Sequence, residues 1–491
     1  MIARSGPQGV LELAASLRAG ERGVREALQT TLERIDAHAD LGCFLSIERE
    51  QAERRALELE RARAAGEPLG PLFGVPFALK ANMCLAGFEA SCGSKILAGY
   101  RPPYTATFVQ RLLDAGALPV GTTNMDEFAM GSSGENSAFG PARNPWDRAR
   151  SPGGSSSGSA AAVAAGLVPF ALGSDTGGSV RLPAALCGLS GFKPTYGRVS
   201  RYGLIAFGSS LDHVAPLART VTELAAVLSV LSGADPCDST CLDLPPLEPP
   251  TTPESLAGLV IGVPEEYLPT ELDGGVRAAV EAALAELAGL GATLRPVRLP
   301  HTPVAIPTYY VVATAEAASN LARYDGVRYG ARSPGDGTLQ GMFAQTRADH
   351  FGPEVVRRIL LGTYVLSRGY YDAWYARALK VRRLVRNDFD AAFAEVDLIA
   401  GPTAPAPAGV LGEHADDPLA MYLHDVMTVP ASLSGLPALS MPCGFARVGG
   451  RDLPVGLQLV GPHLSEGPLL RLAHQFQRTT DWHSRFPAEF D

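Results

Sequence analysis

The densest group of reactive side chains lies between residues 153 and 184, in the run GGSSSGSAAAVAAGLVPFALGSDTGGSVRLPA. Its first glycine- and serine-rich part alone is typical of a flexible linker, but here it leads directly into an apolar helix and an apolar strand. The later motif GSDTGGS ends that strand, and its glycines let the main-chain N–H groups of 176–179 point at one small volume. Such a turn can stabilise the oxyanion of an acyl-transfer reaction. The sequence does not indicate a phosphate loop, because no Gly-Lys-Ser/Thr follows either glycine cluster.

A nucleophilic serine needs a base, and histidine, the usual one, is poorly placed in this sequence. Of nine histidines only His213 lies within forty residues of the glycine-rich run, and no GxSxG motif accompanies any serine. A buried lysine can replace histidine, because burial lowers its pKa and leaves a neutral amine. Lys80 ends the apolar run 73–79, where an unpaired charge would be costly. We therefore predict a serine hydrolase of amide bonds with Lys80 as its base.

The elements that must position these residues alternate between strand and helix. The apolar periodicities predict strands over 73–80, 117–123, 167–174, 258–268, 292–299 and 454–461, and helices over 8–38, 47–65, 106–116, 157–166, 181–188, 275–290 and most of 305–395. Breaks near Gly20 and Gly23 divide the first stretch into two helices. The alternation favours an α/β fold in which helices cover a sheet. The proline-rich run 236–253 is predicted to be an exposed connection.

Composition and charge exclude several classes of protein. The chain has 491 residues, of which 46% are hydrophobic and 19% are charged, as is typical of a globular enzyme. Its net charge of −9 and lack of a basic block argue against a stand-alone nucleic-acid binder. The longest apolar stretch, 160–173, is shorter than the ~20 residues of a membrane helix, and the N-terminus has no apolar signal region. Seven scattered cysteines indicate neither a disulfide framework nor a zinc site, so we expect a cytoplasmic enzyme without a metal or a membrane span.

The motifs GGSSSGSA and DTGGSVRLPA, with Lys80 upstream of them, resemble the amidase signature family. This resemblance implies the amidase signature fold, an α/β fold whose large mixed central β-sheet is covered by helices on both faces. It also implies a relay in which Ser179 is the nucleophile, Ser155 is a bridging serine beside a cis peptide bond, and Lys80 is the base. The family's oxyanion hole corresponds to the main-chain amides of Thr176, Gly177, Gly178 and Ser179.

Longer segments resemble one branch of this family, the A subunits of bacterial tRNA-dependent amidotransferases. The similar segments run from about residue 8 to 483 and include TTNMDEFAMGSSGENSAFGPARNPWD (122–147) and FGPEVVRRILLGTYVLSRGYYDAWY (351–375). The resemblance implies a glutaminase that supplies ammonia for converting Glu-tRNA(Gln), and often Asp-tRNA(Asn), into the amidated form. It implies B and C subunits as partners in a heterotrimer, with ATP and Mg²⁺ used, and tRNA mainly held, by the B subunit. No cofactor is implied in this chain.

The same resemblance implies that Tyr309, Arg358 and Asp425 hold glutamine. Arginine can bind the α-carboxylate through two hydrogen bonds, and aspartate can accept hydrogen bonds from the α-ammonium group. A pocket with both charges would prefer a free amino acid to an uncharged amide. Arg357 remains an alternative to Arg358 as the partner of the carboxylate.

Three residues depart from the usual pattern of the family. Ala81 follows Lys80 where Asp is usual, Ser157 replaces a common Gly, and His213 stands where an uncharged polar residue is common. None of them removes a member of the relay, so we expect an active enzyme.

We expect one amidase domain over residues 1–491. Its parts are N-terminal helices at about 8–65, a signature core at about 70–220, the proline-rich connection at about 236–257 and a helical insertion at about 305–395. Two alternatives for its function stay open. One is a stand-alone amidase of small amides, which would need neither Arg358 nor Asp425. The other is a catalytically silent scaffold for a tRNA-binding subunit.

Overall fold

A computed structural model of the chain describes residues 8–248, 255–413 and 417–490, and the strands in these ranges form one sheet. They are β1 (Phe44–Ile47), β2 (Pro76–Lys80), β3 (Leu118–Thr123), β4 (Phe170–Asp175), β5 (Ser190–Lys193), β6 (His213–Ala218), β7 (Val260–Pro264), β8 (Thr293–Val297), β9 (Leu398–Pro402), β10 (Ala438–Val448) and β11 (Arg451–Val460). Their order across the sheet is β1-β3-β2-β4-β6-β5-β10-β11-β9-β7-β8. Parallel and antiparallel pairs both occur, so the predicted large mixed sheet is confirmed.

Helices surround the sheet, and most lie close to the predicted positions, but those at Val221–Leu231, Pro418–Leu423, Val429–Leu433 and Glu466–Thr479 were not predicted. Within the described ranges they are α1 (Val10–Ala19), α2 (Val24–Ala37), α3 (Arg49–Ala64), α4 (Thr107–Asp114), α5 (Ser157–Ala164), α6 (Arg181–Cys187), α7 (Val221–Leu231), α8 (Gly274–Gly289), α9 (Ala305–Asn320), α10 (Leu339–His350), α11 (Pro353–Leu366), α12 (Arg377–Ala392), α13 (Pro418–Leu423), α14 (Val429–Leu433) and α15 (Glu466–Thr479). The first helix ends at Gly20, whose φ of 76° is the left-handed conformation that glycine adopts at low cost. The predicted pair of N-terminal helices is therefore confirmed. No helix of the described ranges is both long and apolar enough to cross a bilayer.

The site is positioned by two neighbouring strands, β2 and β4, which run parallel to each other. Lys80 is the last residue of β2, and Asp175 is the last residue of β4. Because parallel strands end at the same edge of a sheet, the residues that follow them meet there. The strands themselves are held by apolar contacts, among them stacked rings of Phe77 and Phe170 whose centroids lie 5.1 Å apart.

Several predicted strands differ in length from the observed ones, and the strand predicted over 258–268 ends at Pro264, before a 3-10 helix at Glu265–Tyr267. The strand predicted over 167–174 begins only at Phe170, because Gly166, with a φ of 64°, and the residues after it form a turn. The predicted short strand 454–461 is wrong in length, since β10 and β11 form a hairpin of 11 and 10 residues. This hairpin joins the two parts of the sheet, because β10 pairs with β5 and β11 pairs with β9.

The structure describes only part of the proline-rich connection. Residues 249–254, which belong to the predicted connection, lie outside the described residues. Before them, Pro245, Pro246 and Glu248 are exposed, as expected for a surface segment. The stretch 305–395 contains α9 to α12, in agreement with its predicted helical character.

Candidate active site

Lys80 is completely buried at the end of β2, and its ammonium group lies among hydroxyl groups. Its Nζ is 2.7 Å from Oγ of Ser155, 3.0 Å from Oγ of Ser156 and 2.9 Å from Oγ of Ser174. It also lies 3.4 Å from the carbonyl oxygen of Ser174. The predicted pairing of Lys80 with Ser155 is therefore present, and two further serines complete the shell.

Burial lowers the pKa of Lys80 to about 7, and the nearby carboxyl groups of Asp126 and Asp175 act in the opposite direction. Desolvation prevails because the ammonium group has neutral hydroxyl groups, and no carboxylate, in direct contact. A large fraction of the lysine is then uncharged at neutral pH. A neutral amine of this kind can accept a proton from a serine hydroxyl.

The two serines of the predicted relay lie on neighbouring loops. Ser155 is completely buried and follows a cis peptide bond after Gly154. Ser179 lies in the turn after β4 and is 5% exposed. The loops are joined by the N–H of Ser156, which donates to the carbonyl oxygen of Ser179 over 3.1 Å. The Ser179 hydroxyl has no partner in the described part of the chain.

The turn before Ser179 has the properties expected of an oxyanion hole. Within the residues that the structure describes, no group accepts a hydrogen bond from the main-chain N–H of Gly177, Gly178 or Ser179. The turn is held instead through other atoms: Oγ1 of Thr428 donates to the carbonyl oxygen of Gly177 over 2.7 Å. A Cβ on Gly178 would lie 2.1 Å from this same Oγ1, so only glycine fits. Thr176 is held by its side chain, which donates to a buried aspartate.

A buried ion pair, which the sequence reasoning missed, holds the turn at its base. Nε and Nη2 of Arg181 bind the two carboxylate oxygens of Asp175 at 3.0 and 2.9 Å. Arg181 is completely buried, and its remaining donors bind distant residues: the carbonyl oxygen of Thr428, Oε1 of Gln458 and Oγ of Ser432. All five N–H groups of its guanidinium are therefore satisfied. The sequence signal that could have revealed this ion pair is an acidic and a basic residue on either side of a glycine turn.

His213 is buried beside Asp175 but is not placed to act as a base. Its Nδ1 lies 2.6 Å from the carbonyl oxygen of Leu211 and 3.2 Å from that of Asp175. Carbonyl oxygens only accept hydrogen bonds, so Nδ1 carries the proton. Burial lowers the pKa of His213 well below its usual value. This departure from the family pattern therefore adds a neutral imidazole and no positive charge.

Arg358 lies in a buried aromatic box next to the serine turn. Its guanidinium carbon is 5.6, 5.0 and 5.4 Å from the ring centroids of Phe207, Tyr310 and Tyr422. Nε donates to Oε1 of Glu354 over 2.7 Å, which fixes the orientation of the guanidinium plane. Nη2 donates to the hydroxyl of Tyr310 over 3.5 Å, and the other N–H groups are available for a planar anion.

Arg357 occupies a different environment from its neighbour Arg358. Its side chain is 49% exposed and donates to the other oxygen of Glu354 on the surface of α11. Arg358 is 2% exposed and faces the site. Between the two arginines, the geometry therefore favours Arg358 as the partner of a bound carboxylate.

Asp425 and Tyr309 lie on the two sides of the glycine turn. A Cβ built on Gly178 would lie 3.1 Å from Oδ1 of Asp425, and one built on Gly177 would lie 3.0 Å from the hydroxyl of Tyr309. Oδ1 of Asp425 is buried and has no hydrogen-bond partner among the described residues. Burial raises the pKa of Asp425 to about 7. An unpartnered buried carboxylate of this kind is suited to a cationic ligand group.

The other two departures from the family pattern lie beside the relay. Ala81 is completely buried, and the neighbouring Asn82 donates from Nδ2 to Oγ of Ser174 over 3.0 Å. The neutral amide of Asn82 thus orients Ser174, which contacts Lys80. It does so next to Ala81, where the family usually has the carboxylate of an Asp. Ser157 begins α5, and its buried hydroxyl has no partner in the described ranges.

Comparison with known proteins agrees with this geometry. The family model described as Amidase matches residues 26–470. The A subunit of the glutamyl-tRNA(Gln) amidotransferase of Moorella thermoacetica is 54% identical over 478 residues, covering 97% of each chain. The crystal structure of the corresponding A subunit from Thermotoga maritima has a TM-score of 0.80 at 38% identity, covering 99% of this chain and 98% of that one. The peptide amidase PAM, in complex with the competitive inhibitor chymostatin, has a TM-score of 0.80 at 32% identity, covering 97% of this chain and 98% of that one. The chain belongs to the amidase family.

Proposed function

We propose that this chain is the glutaminase subunit of an ATP-dependent amidotransferase that converts Glu-tRNA(Gln) to Gln-tRNA(Gln). The observation that carries the proposal is the pair of opposite charges beside the serine turn, the buried Arg358 and the unpartnered buried Asp425. A free α-amino acid carries the two complementary charges, whereas a simple amide carries neither. The likeness over nearly the whole chain to the A subunits of glutamyl-tRNA(Gln) amidotransferases supports the same assignment.

In the proposed mechanism, neutral Lys80 accepts a proton from Ser155 while Ser155 accepts the proton of Ser179. The oxygen of Ser179 attacks the side-chain amide carbon of glutamine, and the main-chain amides of the turn stabilise the oxyanion. The carbon–nitrogen bond then breaks, the relay returns a proton to the leaving nitrogen, and ammonia departs from a glutamyl ester. Water attacks this ester by the same relay and releases glutamate, which restores the Ser179 hydroxyl.

The substrate is held, in this proposal, by groups on both sides of the turn. The guanidinium of Arg358 binds the α-carboxylate, and Asp425 accepts hydrogen bonds from the α-ammonium group. The hydroxyl of Tyr309 lies beside Gly177, where it contacts the amide end of the substrate and excludes water from it. The α-ammonium group of the substrate then supplies the hydrogen-bond donor that Asp425 lacks in the protein alone.

The proposal places the chain in a cytoplasmic heterotrimer with B and C subunits. The partner B subunit holds the tRNA and uses ATP and Mg²⁺, and ammonia passes to it. Within the described ranges, no cluster of three or more His, Cys, Asp or Glu side chains is arranged to hold a metal ion. The steps assigned to this chain use its own serine and lysine side chains.

The test is reconstitution of the complex with the B and C subunits. The Ser179→Ala complex is expected to lose glutamine-dependent amidation by at least about 10⁴-fold but to keep amidation driven by ammonium chloride, because only ammonia production needs the serine. Ser239→Ala, at an exposed serine, is the matched control. Glutamine-dependent amidation by the Ser179→Ala complex at the wild-type rate would refute the assignment. Running the assay with Asp-tRNA(Asn) as well as Glu-tRNA(Gln) determines which tRNAs are served.

A stand-alone amidase is the second candidate, favoured by the similarity to the peptide amidase. It is distinguished by comparing glutamine with a small uncharged amide as substrates of Arg358→Gln. The glutaminase proposal requires glutamine hydrolysis to fall while hydrolysis of the small amide changes little. Glutamine hydrolysis that Arg358→Gln leaves unchanged would favour the stand-alone amidase, because that enzyme does not need Arg358. A wild-type complex that releases no ammonia from glutamine would instead indicate a silent scaffold.

A further inference from the structure

A group of large side chains on the helical insertion faces solvent and is not used by the site. It extends from the exposed face of α11 through the segment before α12 and along α12 itself. Leu360 is 64% exposed and Trp374 is 49% exposed. The exposed members of this group, called here the aromatic–basic patch, are Leu360, Tyr364, Arg368, Tyr370, Tyr371, Trp374, Arg377, Leu379, Lys380, Arg383 and Leu384. So many neighbouring apolar side chains on a surface mark an interaction site.

Contacts within the patch show that it is one surface. The rings of Tyr364 and Tyr370 have centroids 4.6 Å apart, which joins the end of α11 to the following segment. Tyr371 and Tyr375 lie 5.3 Å apart, one turn further along. Both α11 and α12 pack against α9, and the segment Asp372–Ala376 between them contacts both helices.

The charge of the patch is opposite to that of the whole chain. The patch has four basic residues, Arg368, Arg377, Lys380 and Arg383, and residues 357–386 contain a single acidic one, Asp372, while the chain has a net charge of −9. Arg377, Lys380 and Arg383 are exposed on α12. A surface of this charge is complementary to an acidic partner.

The buried faces of the same helices carry parts of the glutamine site. Arg358 is on the inner face of α11, and Arg382 on α12 donates to Oγ of Ser210 over 2.8 Å. Ser210 follows Phe207, which belongs to the aromatic box around Arg358. A molecule bound to the outer face therefore rests on the elements that shape the substrate pocket.

We propose that the aromatic–basic patch is the docking surface for a protein partner that is apolar at its centre and acidic at its rim. Tyr, Trp and Arg are the residues enriched in protein interfaces, and here they occur together. The exposed Leu360, Leu379 and Leu384 favour a protein over RNA, because stacking and charge do not require aliphatic groups. In taking the B and C subunits as this partner, the inference rests on the proposed function.

The test measures the affinity of the purified full chain for the B–C pair by titration calorimetry. Leu360→Asp combined with Trp374→Asp is expected to weaken the dissociation constant by at least roughly 30-fold. Phe139→Asp is the matched control, because Phe139 is 48% exposed and does not belong to the patch, and it is expected to leave the affinity unchanged. Arg377→Glu with Lys380→Glu is expected to weaken binding by roughly 10-fold and to reduce its salt dependence. Unchanged thermal unfolding of each variant shows that the fold is intact.

Each other outcome overturns the inference in a distinguishable way. If the patch variants bind the B–C pair like wild type and still support amidation, the docking surface is elsewhere and the proposed function stands. If the variants lose tRNA binding but keep the B–C pair, the patch is an RNA surface. If they abolish only self-association, it is an interface between copies of this chain. If the wild-type chain does not bind the B–C pair at all, both the inference and the proposed function are refuted.

Discussion

At the residue scale, the immediate surroundings of Lys80 determine its proton affinity. A neutral lysine amine can donate two hydrogen bonds and accept one. Three hydroxyl groups lie within 3.0 Å of Nζ of Lys80. In the neutral form one of these hydroxyls must donate to the nitrogen. If Ser155 is that donor, its oxygen becomes free to accept the proton of Ser179, as the mechanism requires.

The pH dependence of the reaction follows from this arrangement. Because only the neutral amine can accept a proton, and the pKa of Lys80 is about 7, kcat for glutamine hydrolysis should be low below pH 7 and rise through it. The check is a kcat profile measured between pH 5.5 and pH 9 at saturating glutamine. Lys80→Met is expected to give a low and flat profile. A wild-type profile that is also flat over this range would show that Lys80 is not the base.

Asp425 should control substrate binding more than the chemical step. Asp425→Asn removes the carboxylate but keeps its size, so KM for glutamine is expected to rise by roughly 10- to 100-fold with a smaller change in kcat. The exposed Asp243→Asn serves as the control. Steady-state kinetics at pH 8, where the wild-type carboxyl group with its pKa of about 7 is ionised, makes the comparison clean. A loss confined to kcat would contradict a role in holding the α-ammonium group.

Sequence reasoning identified the reacting groups better than the groups that support them. Lys80 is recognisable because a lysine at the end of an apolar strand is unusual, whereas the roles of Ser155 and Ser179 were implied by the resemblance to the amidase signature family. The partners of Arg181 are not, because Gln458 is 277 residues away and reaches it only through the fold. The same holds for Tyr422, which joins the box around Arg358 from another element.

At the element scale, the turn between β4 and α6 depends on the ion pair at its base. Asp175 accepts hydrogen bonds from the main-chain N–H groups of Val180 and Arg181 as well as from the guanidinium of Arg181. Burial alone would raise the pKa of Asp175, but Arg181 outweighs it and lowers this pKa to about 2. The carboxylate therefore stabilises the fold above its unfolded pKa of about 4, and this contribution is lost as pH falls through 2.

Removing the arginine should be costly for the whole protein. Arg181→Met leaves the carboxylate of Asp175 buried without its cation, so the free energy of unfolding in urea should fall by about 3 to 5 kcal/mol. Adding Asp175→Asn to this variant should recover part of the loss, because no buried charge then remains. Arg451→Met, at a side chain that is 63% exposed, should cost less than about 1 kcal/mol. A cost for Arg181→Met as small as that of Arg451→Met would contradict the assigned role.

The long hairpin shows why element lengths were the weaker part of the sequence prediction. Most of the predicted helices and short strands were found close to their predicted positions, because their periodicity is local, whereas β1, β5, β6 and β9 were not predicted. In β10, Pro442 and Gly444 interrupt the apolar pattern, and the pairing with β11 shifts register between them. A bulge accommodates this irregularity and the strand continues beyond it. The sequence shows the interruption but not the partner strand that bridges it.

At the scale of the whole molecule, the sheet is assembled from two parts of the chain. Strands β1 to β6 precede the proline-rich connection and β7 to β11 follow it, yet β5 and β10 are neighbours in one sheet. The pairs Ala438–Lys193 and Ser440–Gly191 lie at this junction. No local pattern in the sequence predicts such a long-range pairing, so the strand order could not be predicted from it.

Cleavage at the connection tests whether the chain behaves as the single domain predicted from its sequence. A specific protease site inserted after the exposed Glu248 should be cut without releasing either fragment, because β5 and β10 hold the fragments together. The measurement is size-exclusion chromatography of the cleaved protein, with a sample dissociated in urea as the control. Separate elution of two folded fragments would instead indicate two independent domains.

The five satisfied donors of Arg181 also bear on how the protein is made. Synthesis on the ribosome proceeds from the amino terminus, so the lysine and both serines of the relay exist long before Ser432 and Gln458 are added. Until those residues are added, Arg181 lacks two of its hydrogen-bond acceptors. The turn that contains Ser179 is then less well held. An unfinished or truncated chain is therefore expected to carry Lys80, Ser155 and Ser179 and yet to hydrolyse no glutamine.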